Sequence, residues 1–470
     1  MMKVCDGMAV AHCTSSTRSV PSTREESFWI VDRRMKALTP TLFVALTSLL
    51  MWPGQVVGDA ETSLDFGSDG SYIKGISDAL LNSSDNLKTS GLKVMFDATY
   101  VFQSVASGGF TGPYFHSFSD ETSNGHTLNG DLRSELDTEQ AGWWSQGTFN
   151  ARLQTRIGRS AVQRAGSVAA INNEALFPNV EDRFDESVWA ITQLTYRHQL
   201  SETVAVYGGL LNTSMGDENA IAGASQSHDR FLNFALLYSV VEDATTGNAA
   251  LGCGIEITPN DNVSGSFSVY GSRETAGENP FRTWNGTTFN TEWTVSHGLA
   301  ERTGAQTFGF LYGTNVLLSD IAADPRLVII SVILGIPIPA IPRDTWAFYY
   351  NAHQFIEGNE EGGWGVFARW GFSDGDPNFV KQNAALGLGG VGLFPTRPLD
   401  RWGLGFFFVD MSNASLLKGL HITDDFGAET YYNFAMSKSF QMTWNLQLID
   451  SALPQAESVC VLGLRANYSF

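Results

Sequence analysis

The sequence predicts an all-β chain, a transmembrane antiparallel β-barrel of about sixteen strands over residues 91–470. Three observations predict it. The chain ends on a stretch, Cys460–Phe470, that alternates with a period of two. A hydrophobic segment behind basic residues near the front has the form of an export signal. Between the two, period-two stretches recur, joined by connections that alternate short and long.

In the terminal stretch Cys460, Leu462, Leu464, Ala466, Tyr468 and Phe470 share one face, and Val461, Gly463, Arg465, Asn467 and Ser469 share the other. A soluble sheet can alternate in the same way. The bare aromatic carboxyl terminus adds the discriminating detail: an apolar-out strand ending in Phe resembles the closing strand of bacterial outer-membrane barrels.

At the other end, Arg33, Arg34 and Lys36 precede the apolar run Leu38–Trp52, and Gly58-Asp59-Ala60 supplies small residues for cleavage. A basic start and a short apolar core make a secretory signal peptide rather than a membrane helix. Met35 is its natural start. The chain then divides into an aperiodic upstream extension that reads as mis-assigned (1–34), the signal peptide (35–60), a periplasmic N-terminal segment (61–90) and the barrel (91–470).

Bulk properties exclude more than they select. The net charge of −20 lacks the basic footprint of a nucleic-acid binder. A mean hydropathy of −0.08 suits a barrel that hides its apolar residues on alternate positions, and suits a soluble protein equally well. Of the four cysteines, Cys5 and Cys13 fall in the leader. Cys253 and Cys460 lie on the apolar faces of different strands, and could pair only if those strands were adjacent.

The clearest internal strand is Trp143–Ile157, where Trp143, Gly147, Phe149, Ala151, Leu153 and Ile157 alternate with polar neighbours such as Asn150, Arg152 and Arg156. Others begin near Leu92, Leu128, Val188, Val204, Ala249, Val263, Phe289, Ala305, Trp346, Trp364, Ala384, Trp402, Thr430, Phe440 and Cys460. Short links at 139–142, 201–202, 259–262, 300–303, 357–362, 395–401 and 437–439 alternate with long ones at 106–126, 159–186, 213–248, 272–288, 319–344, 374–382, 412–426 and 451–458. That alternation places both termini on the periplasmic side. It also places the strand-like Phe231–Val241 inside the 213–248 connection, whose apolar FLNFALLY is the candidate to fold inward and narrow a channel.

One face of these strands collects the charges: Asp131, Arg133, Glu135, Asp137, Arg152, Arg156, Glu292, Arg369, Glu429 and Arg465, with Gln447 among them. A charge facing lipid at mid-depth costs about 2–4 kcal/mol, so the segregation points these residues into a lumen. A soluble barrel segregates its solvent-facing charges equally well, so the signal segment and Phe470 break that tie.

Several stretches resemble the carbohydrate-selective porins of the OprB family. Gly130–Gly158 (GDLRSELDTEQAGWWSQGTFNARLQTRIG) looks like that family's acidic strand, tight turn and polar-inward strand. The most specific block is Gly362–Phe408, with its F-A-R, D-G-D-P-N, G-L-G-G and R-P-x-D elements in the family's order. ETYYNFAMSKSFQMTWNLQLID and the terminal VLGLRANYSF are also similar. The chain departs from the family in having SYIKGISDALL (Ser71–Leu81) where a Trp-Gly-Gly segment usually precedes the first strand. The resemblance implies a sixteen-stranded barrel integral to the outer membrane that admits sugars passively.

Within that reading, Arg152, Arg156, Arg369 and Arg465 are candidates to donate to sugar hydroxyls from a fixed planar fork. Glu135, Glu292 and Glu429 would accept from those hydroxyls, and Trp144, Tyr270 or Phe367 could stack on a pyranose. The plainer alternative is that opposed lumen charges satisfy one another.

Other motifs dissolve on inspection. Gly387, Gly389 and Gly392 spell G-x-G-x-x-G, but no helix can follow into Leu393-Phe394-Pro395, so small residues packed on a strand explain them. Asp374-Gly375-Asp376-Pro377-Asn378 lacks the full calcium-loop pattern and reads as a turn. The eight His residues show no metal-ligand or nucleophile pattern, and there is no G-x-S-x-G, so neither an enzyme, a metal nor a cofactor is expected. The apolar Leu327–Ile341 is too short and proline-broken for a membrane helix, and reads as rim or interface packing.

The expectation is an outer-membrane porin for sugar-favouring passive diffusion, with carbohydrates and outer-membrane lipid as partners. The alternatives are a general or anion-tolerant porin, and a plugged structural or adhesive barrel. A homotrimer and a monomer both stay open.

Overall fold

Alternating residues demand a sheet wet on one side and apolar on the other, and closing that sheet removes its edges. The computed structural model describes residues 90–110, 123–179, 187–281, 284–299, 301–316, 342–412, 422–453 and 456–469. Within them the chain forms a closed barrel of sixteen strands, each paired antiparallel to its sequence neighbours. The first half comprises β1 (Leu92–Phe110), β2 (Asn124–Asp137), β3 (Gly147–Arg159), β4 (Val188–Gln199), β5 (Val204–Asn212), β6 (Ala249–Asn260), β7 (Val263–Gly271) and β8 (Thr287–Leu299). The second comprises β9 (Arg302–Val316), β10 (Arg343–Asn359), β11 (Gly362–Ser373), β12 (Val380–Val391), β13 (Arg401–Met411), β14 (Asp425–Ala435), β15 (Phe440–Asp450) and β16 (Ala456–Ser469).

The terminal strand closes the ring. β16 pairs with β1, setting Val101 opposite Arg465 and Asp97 opposite Ser469. Its two faces separate as expected: Leu462 is exposed on the outside, while Val461, Arg465 and Asn467 are buried inside. The outward row continues round the barrel through exposed Trp444, Phe406, Leu386, Trp370 and Phe310. No described helix is long and apolar enough to cross a membrane, so these strands are the crossing elements.

Two expectations need correction. β3 begins at Gly147, not Trp143, because residues 138–146 remain in a turn. The Thr138 hydroxyl holds that turn by donating to the Trp144 and Gly147 carbonyls, and Gln146 takes φ 67°. The second concerns loop lengths. On the long-loop side, the 374–379 and 451–455 connections are no longer than the 392–400 turn on the other. Strands β12 and β16 start earlier than their hydrophobic pattern suggests, so the alternation of sides holds while the contrast in length does not.

The principal apolar core lies inside the barrel. It joins Ala169–Ile171 of the 160–187 connection and Phe231, Phe234 and Leu236 of the 213–248 connection to inward residues of the wall such as Phe367, Phe407 and Tyr431. The signal segment, the 61–89 stretch, Leu327–Ile341 and Phe470 lie outside the described residues.

Candidate functional site

The 213–248 connection turns inward because its sequence is apolar where an outer loop would be polar. It makes two helical turns, Phe234–Leu237 and Val240–Asp243. The Asn233 side chain caps the first, accepting from the Ala235 amide at 3.0 Å. Phe231, Leu232, Leu236, Val240 and Val241 are fully buried. They fit because the wall beneath is stripped of side chains. A Cβ on Gly365 would stand 2.5 Å from Ile221, and one on Gly405 2.7 Å from Leu236. Phe231 packs between Phe367, tilted at a centroid distance of 5.6 Å, and Tyr431, edge-on at 4.8 Å.

A second loop completes the insertion. Residues 160–179 enter through a helical turn at Val162–Ala165 and a 3₁₀ turn at Asn173–Ala175, which Asn172 caps. The two loops pair through their backbones: the Asn173 amide donates to the Leu232 carbonyl at 2.8 Å, and the Phe234 amide to Ala170 at 3.0 Å. His228 meets the Glu174 carboxylate at 2.8 Å. Burial alone would depress this imidazole, but the Glu174 charge wins and holds it above its ordinary value.

Backbone groups carried into a lumen need partners, and buried wall side chains supply them. Glu429 accepts from the Leu232 and Asn233 amides at 2.7 Å each. Glu292 accepts from the Asp217 amide at 3.0 Å and from the Tyr349 hydroxyl at 2.6 Å. Arg369 pairs with Asp217 and donates to the Gly223 carbonyl at 2.9 Å. Arg465 donates to the Arg230 and Phe231 carbonyls. Arg156 donates to the Ala175 carbonyl. Asp425 takes the Ser167 hydroxyl and the Ala169 amide, both at 2.8 Å. Burial pushes the Asp217 carboxyl above the usual range, against the pull of Arg369.

The arc β4–β8 is different. Its inward positions include Arg197, Tyr207, Glu256, Ser264, Ser266 and Thr294, none of them buried, while Thr195, Ser268 and Tyr270 on the same face are buried. Arg197 and Glu256 form an ion pair at 2.7 Å, with side chains 36% and 40% exposed. Beside Glu292 of β8 the inserted loop presents exposed Met215 and Glu218. Arg197 and Glu256 on this arc are thus open to water, whereas the charges beneath the packed loops are not.

The model of the carbohydrate-selective porin, OprB family, matches residues 125–470. The chain belongs to the OprB family. Among solved structures it is similar to the high-pH structure of Pseudomonas putida OprB, with a TM-score of 0.65 and 17% identity over 83% of this chain and 97% of that one. The low-pH structure of the same protein gives a TM-score of 0.52 and 14% identity over 88% and 100% of the two chains. No curated protein sequence matches the chain. The fold is that of an outer-membrane channel, and the protein is integral to the bacterial outer membrane.

Against this porin frame the sequence-derived candidates separate. Arg152, Arg156, Arg369, Arg465 and Glu429 point inward and are buried, and Glu292 points inward beside them. All except Arg152 touch the inserted loops; Arg152 pairs with Asp131 on the neighbouring strand. Phe367 and Tyr270 are inward and buried, Phe367 beneath Phe231. Glu135 is inward and exposed. Trp144 is not in the lumen. It sits in the 138–146 turn, donates to the Tyr196 hydroxyl at 2.6 Å and packs edge-on to outward-facing Phe149. With Trp143 it forms an aromatic girdle of the kind barrels carry at membrane interfaces.

The remaining motifs keep their plain readings. Gly387 and Gly389 lie on β12, where a Cβ would meet Phe367 and Ile221. Asp374 accepts from Trp346 and Thr345, Asp376 pairs with Arg343, and Asn378 donates to the Val241 carbonyl, so the D-G-D-P-N oxygens serve a turn. Cys253 and Cys460 are free, on the non-adjacent strands β6 and β16. Sequence reasoning missed Asp217, Glu174, Asp425 and the Arg197–Glu256 pair. The small-residue run GSVAAI at 166–171, too apolar for an outer loop, was the available signal for the second insertion.

Proposed function

We propose that this OprB-family porin conducts small carbohydrates by passive diffusion along the β4–β8 side of its lumen, after export directed by residues 35–60. The reading rests on one observation above all. Two inward loops pair with each other and pack against the inner face of β10–β16, while the inner face of β4–β8 keeps hydroxyls and a half-exposed ion pair open to water. Solutes that exchange hydrogen bonds with water for hydrogen bonds with such a wall pass at little cost, and pore width and lining set the preference.

Glu135, Arg133, Arg197 and Glu256 are the groups that meet solute. Arg156, Arg369, Arg465, Glu292 and Glu429 act one step removed, fixing the loops that set the bore. No energy source or covalent chemistry is involved.

Single-channel recording in planar bilayers tests the proposal. Sugar-favouring diffusion predicts open-channel current that glucose or a short oligosaccharide reduces in a saturable way. Current insensitive to every sugar means a general porin, and no current means a plugged barrel.

A further inference from the structure

His228 stands where three separately built parts of the barrel meet. It belongs to the 213–248 connection, and its Nδ1 lies 2.8 Å from the Glu174 carboxylate of the 160–179 connection. A ring nitrogen also lies within 4.8 Å of carboxylate oxygens on Asp97 of β1 and Asp131 of β2. One imidazole therefore faces acids from the other inserted loop and from two wall strands.

The cations around it decide which acid needs the ring. Asp97 is paired with Arg133 and takes the Ser469 hydroxyl, and Asp131 is held by Arg152 through both oxygens. Next to His228 in the chain, Asp229 is held by Arg401 at 2.9 Å and Arg230 at 3.6 Å. Glu174 is different. The Arg465 guanidinium stands 3.9 Å from it and donates to the Arg230 and Phe231 carbonyls, while Arg156 donates to the Ala175 carbonyl. His228 is the cation in hydrogen-bond contact with Glu174. The space left at this junction is about 10 Å³, room for one water. A metal ion would have to displace Arg133 or Arg152, so the species that can come and go is a proton.

We propose that His228 is a proton-operated latch: as imidazolium it draws the two inserted loops together and onto β1 and β2, and as neutral imidazole it lets that edge loosen. Burial works against the charged ring, but Glu174 first, then Asp97 and Asp131, outweigh it and raise its proton affinity above the ordinary 6.5. The tie is then complete below about 6.5 and is lost as pH rises through the higher value of the folded chain. The rest of the insertion stays seated, because Glu429, Arg369 and Arg465 hold it independently. Protonation thus tunes the β1–β3 edge of the bore without emptying the lumen.

Two amides report on the latch, since Asn173 donates to Leu232 and Phe234 to Ala170 across the seam between the loops. Hydrogen exchange of the full-length porin in nanodiscs, corrected for intrinsic rates, should rise about fivefold to tenfold at both amides between about pH 6 and about pH 9, as a charged hydrogen bond becomes a neutral one. His228→Gln should exchange at the faster rate throughout and lose the step. Asp217, whose carboxyl is raised by burial, titrates in the same loop, but its response survives in His228→Gln and drops out of the comparison. Glu174→Gln gives a second reading if His228→Gln fails to fold: the Cε1–H resonance of His228 should titrate at lower pH than in wild type, and the exchange step should move with it. No step in wild type, an equal step in His228→Gln, or a titration that Glu174→Gln leaves unmoved overturns the latch. None of these readouts needs a conducting channel or a sugar, so their failure leaves the diffusion reading untouched.

Discussion

The arcs β10–β16 and β4–β8 belong to one barrel and present the same apolar outer row, but their inner faces obey different chemistry. The first carries bare glycines at Gly365 and Gly405, flat aromatics at Phe367, Phe407 and Tyr431, and buried charges at Arg369, Glu429 and Arg465. The second carries hydroxyls and an ion pair open to water. The difference teaches that an inward charge has two distinct uses. On the packed arc it terminates the backbone of an inserted loop. On the other arc Glu292 does the same for the Asp217 amide, while Arg197 and Glu256 stay half-exposed.

Asp217→Ala should produce the largest effect. It leaves Arg369 buried without its counter-charge, a loss of about 3–5 kcal/mol, which is enough to release that part of the loop. Single-channel conductance should rise and become noisy, and amides of the 213–248 connection should exchange faster. Gly405→Val should come next, since overpacking against Leu236 costs about 1–3 kcal/mol and pushes the loop toward the opposite wall. Conductance should therefore fall. Ser266→Val on the open arc should lower conductance as well but leave exchange in the loop unchanged, which separates narrowing by the wall from narrowing by the loop.

Arg197→Ala should leave thermal stability within about 1 kcal/mol, because a half-exposed pair contributes little. Reversal potentials in a salt gradient should move toward cation preference, and Glu256→Gln should move them the other way. A pH effect concerns Glu274, in the connection after β7. Its carboxylate accepts from the Asn248 and Ala276 amides, and burial pushes it up to about 7 from an ordinary 4.5. The folded chain then holds this proton more tightly than the unfolded chain. The contribution of Glu274 to stability therefore falls as pH rises from about 4.5 to about 7, and is flat above that. Hydrogen exchange at Asn248 and Ala276, corrected for intrinsic rates, should show this slope, and Glu274→Gln should abolish it.

The barrel was legible in the sequence because lipid enforces a strict period of two on every strand, and the chain's closing strand carried the same signal. Inward folding of the 213–248 connection was legible too, since FLNFALLY has no business in water. The functions of the arginines were not. Arg369 and Asp217 stand far apart in the chain, and nothing local tells a lumen arginine facing solute from one covered by a loop. Trp144 misled for a related reason. Its period-two neighbours place it on a strand, while the positive φ at Gln146 and the Thr138 hydrogen bonds keep the chain turning until Gly147.

The central claim is that the inserted loop is a fixed part of the pore wall, with solute passing beside it. Ile221→Cys with Gly389→Cys, in a background where Cys253 and Cys460 are serine, tests this directly. A Cβ on Gly389 would lie 3.4 Å from the Ile221 side chain, within reach of a disulfide. Tethering the loop by oxidation should leave single-channel conductance and glucose block equal to those of the reduced channel. A channel that falls silent on oxidation and reopens on reduction would contradict the account, because solute would then need the loop to leave its seat.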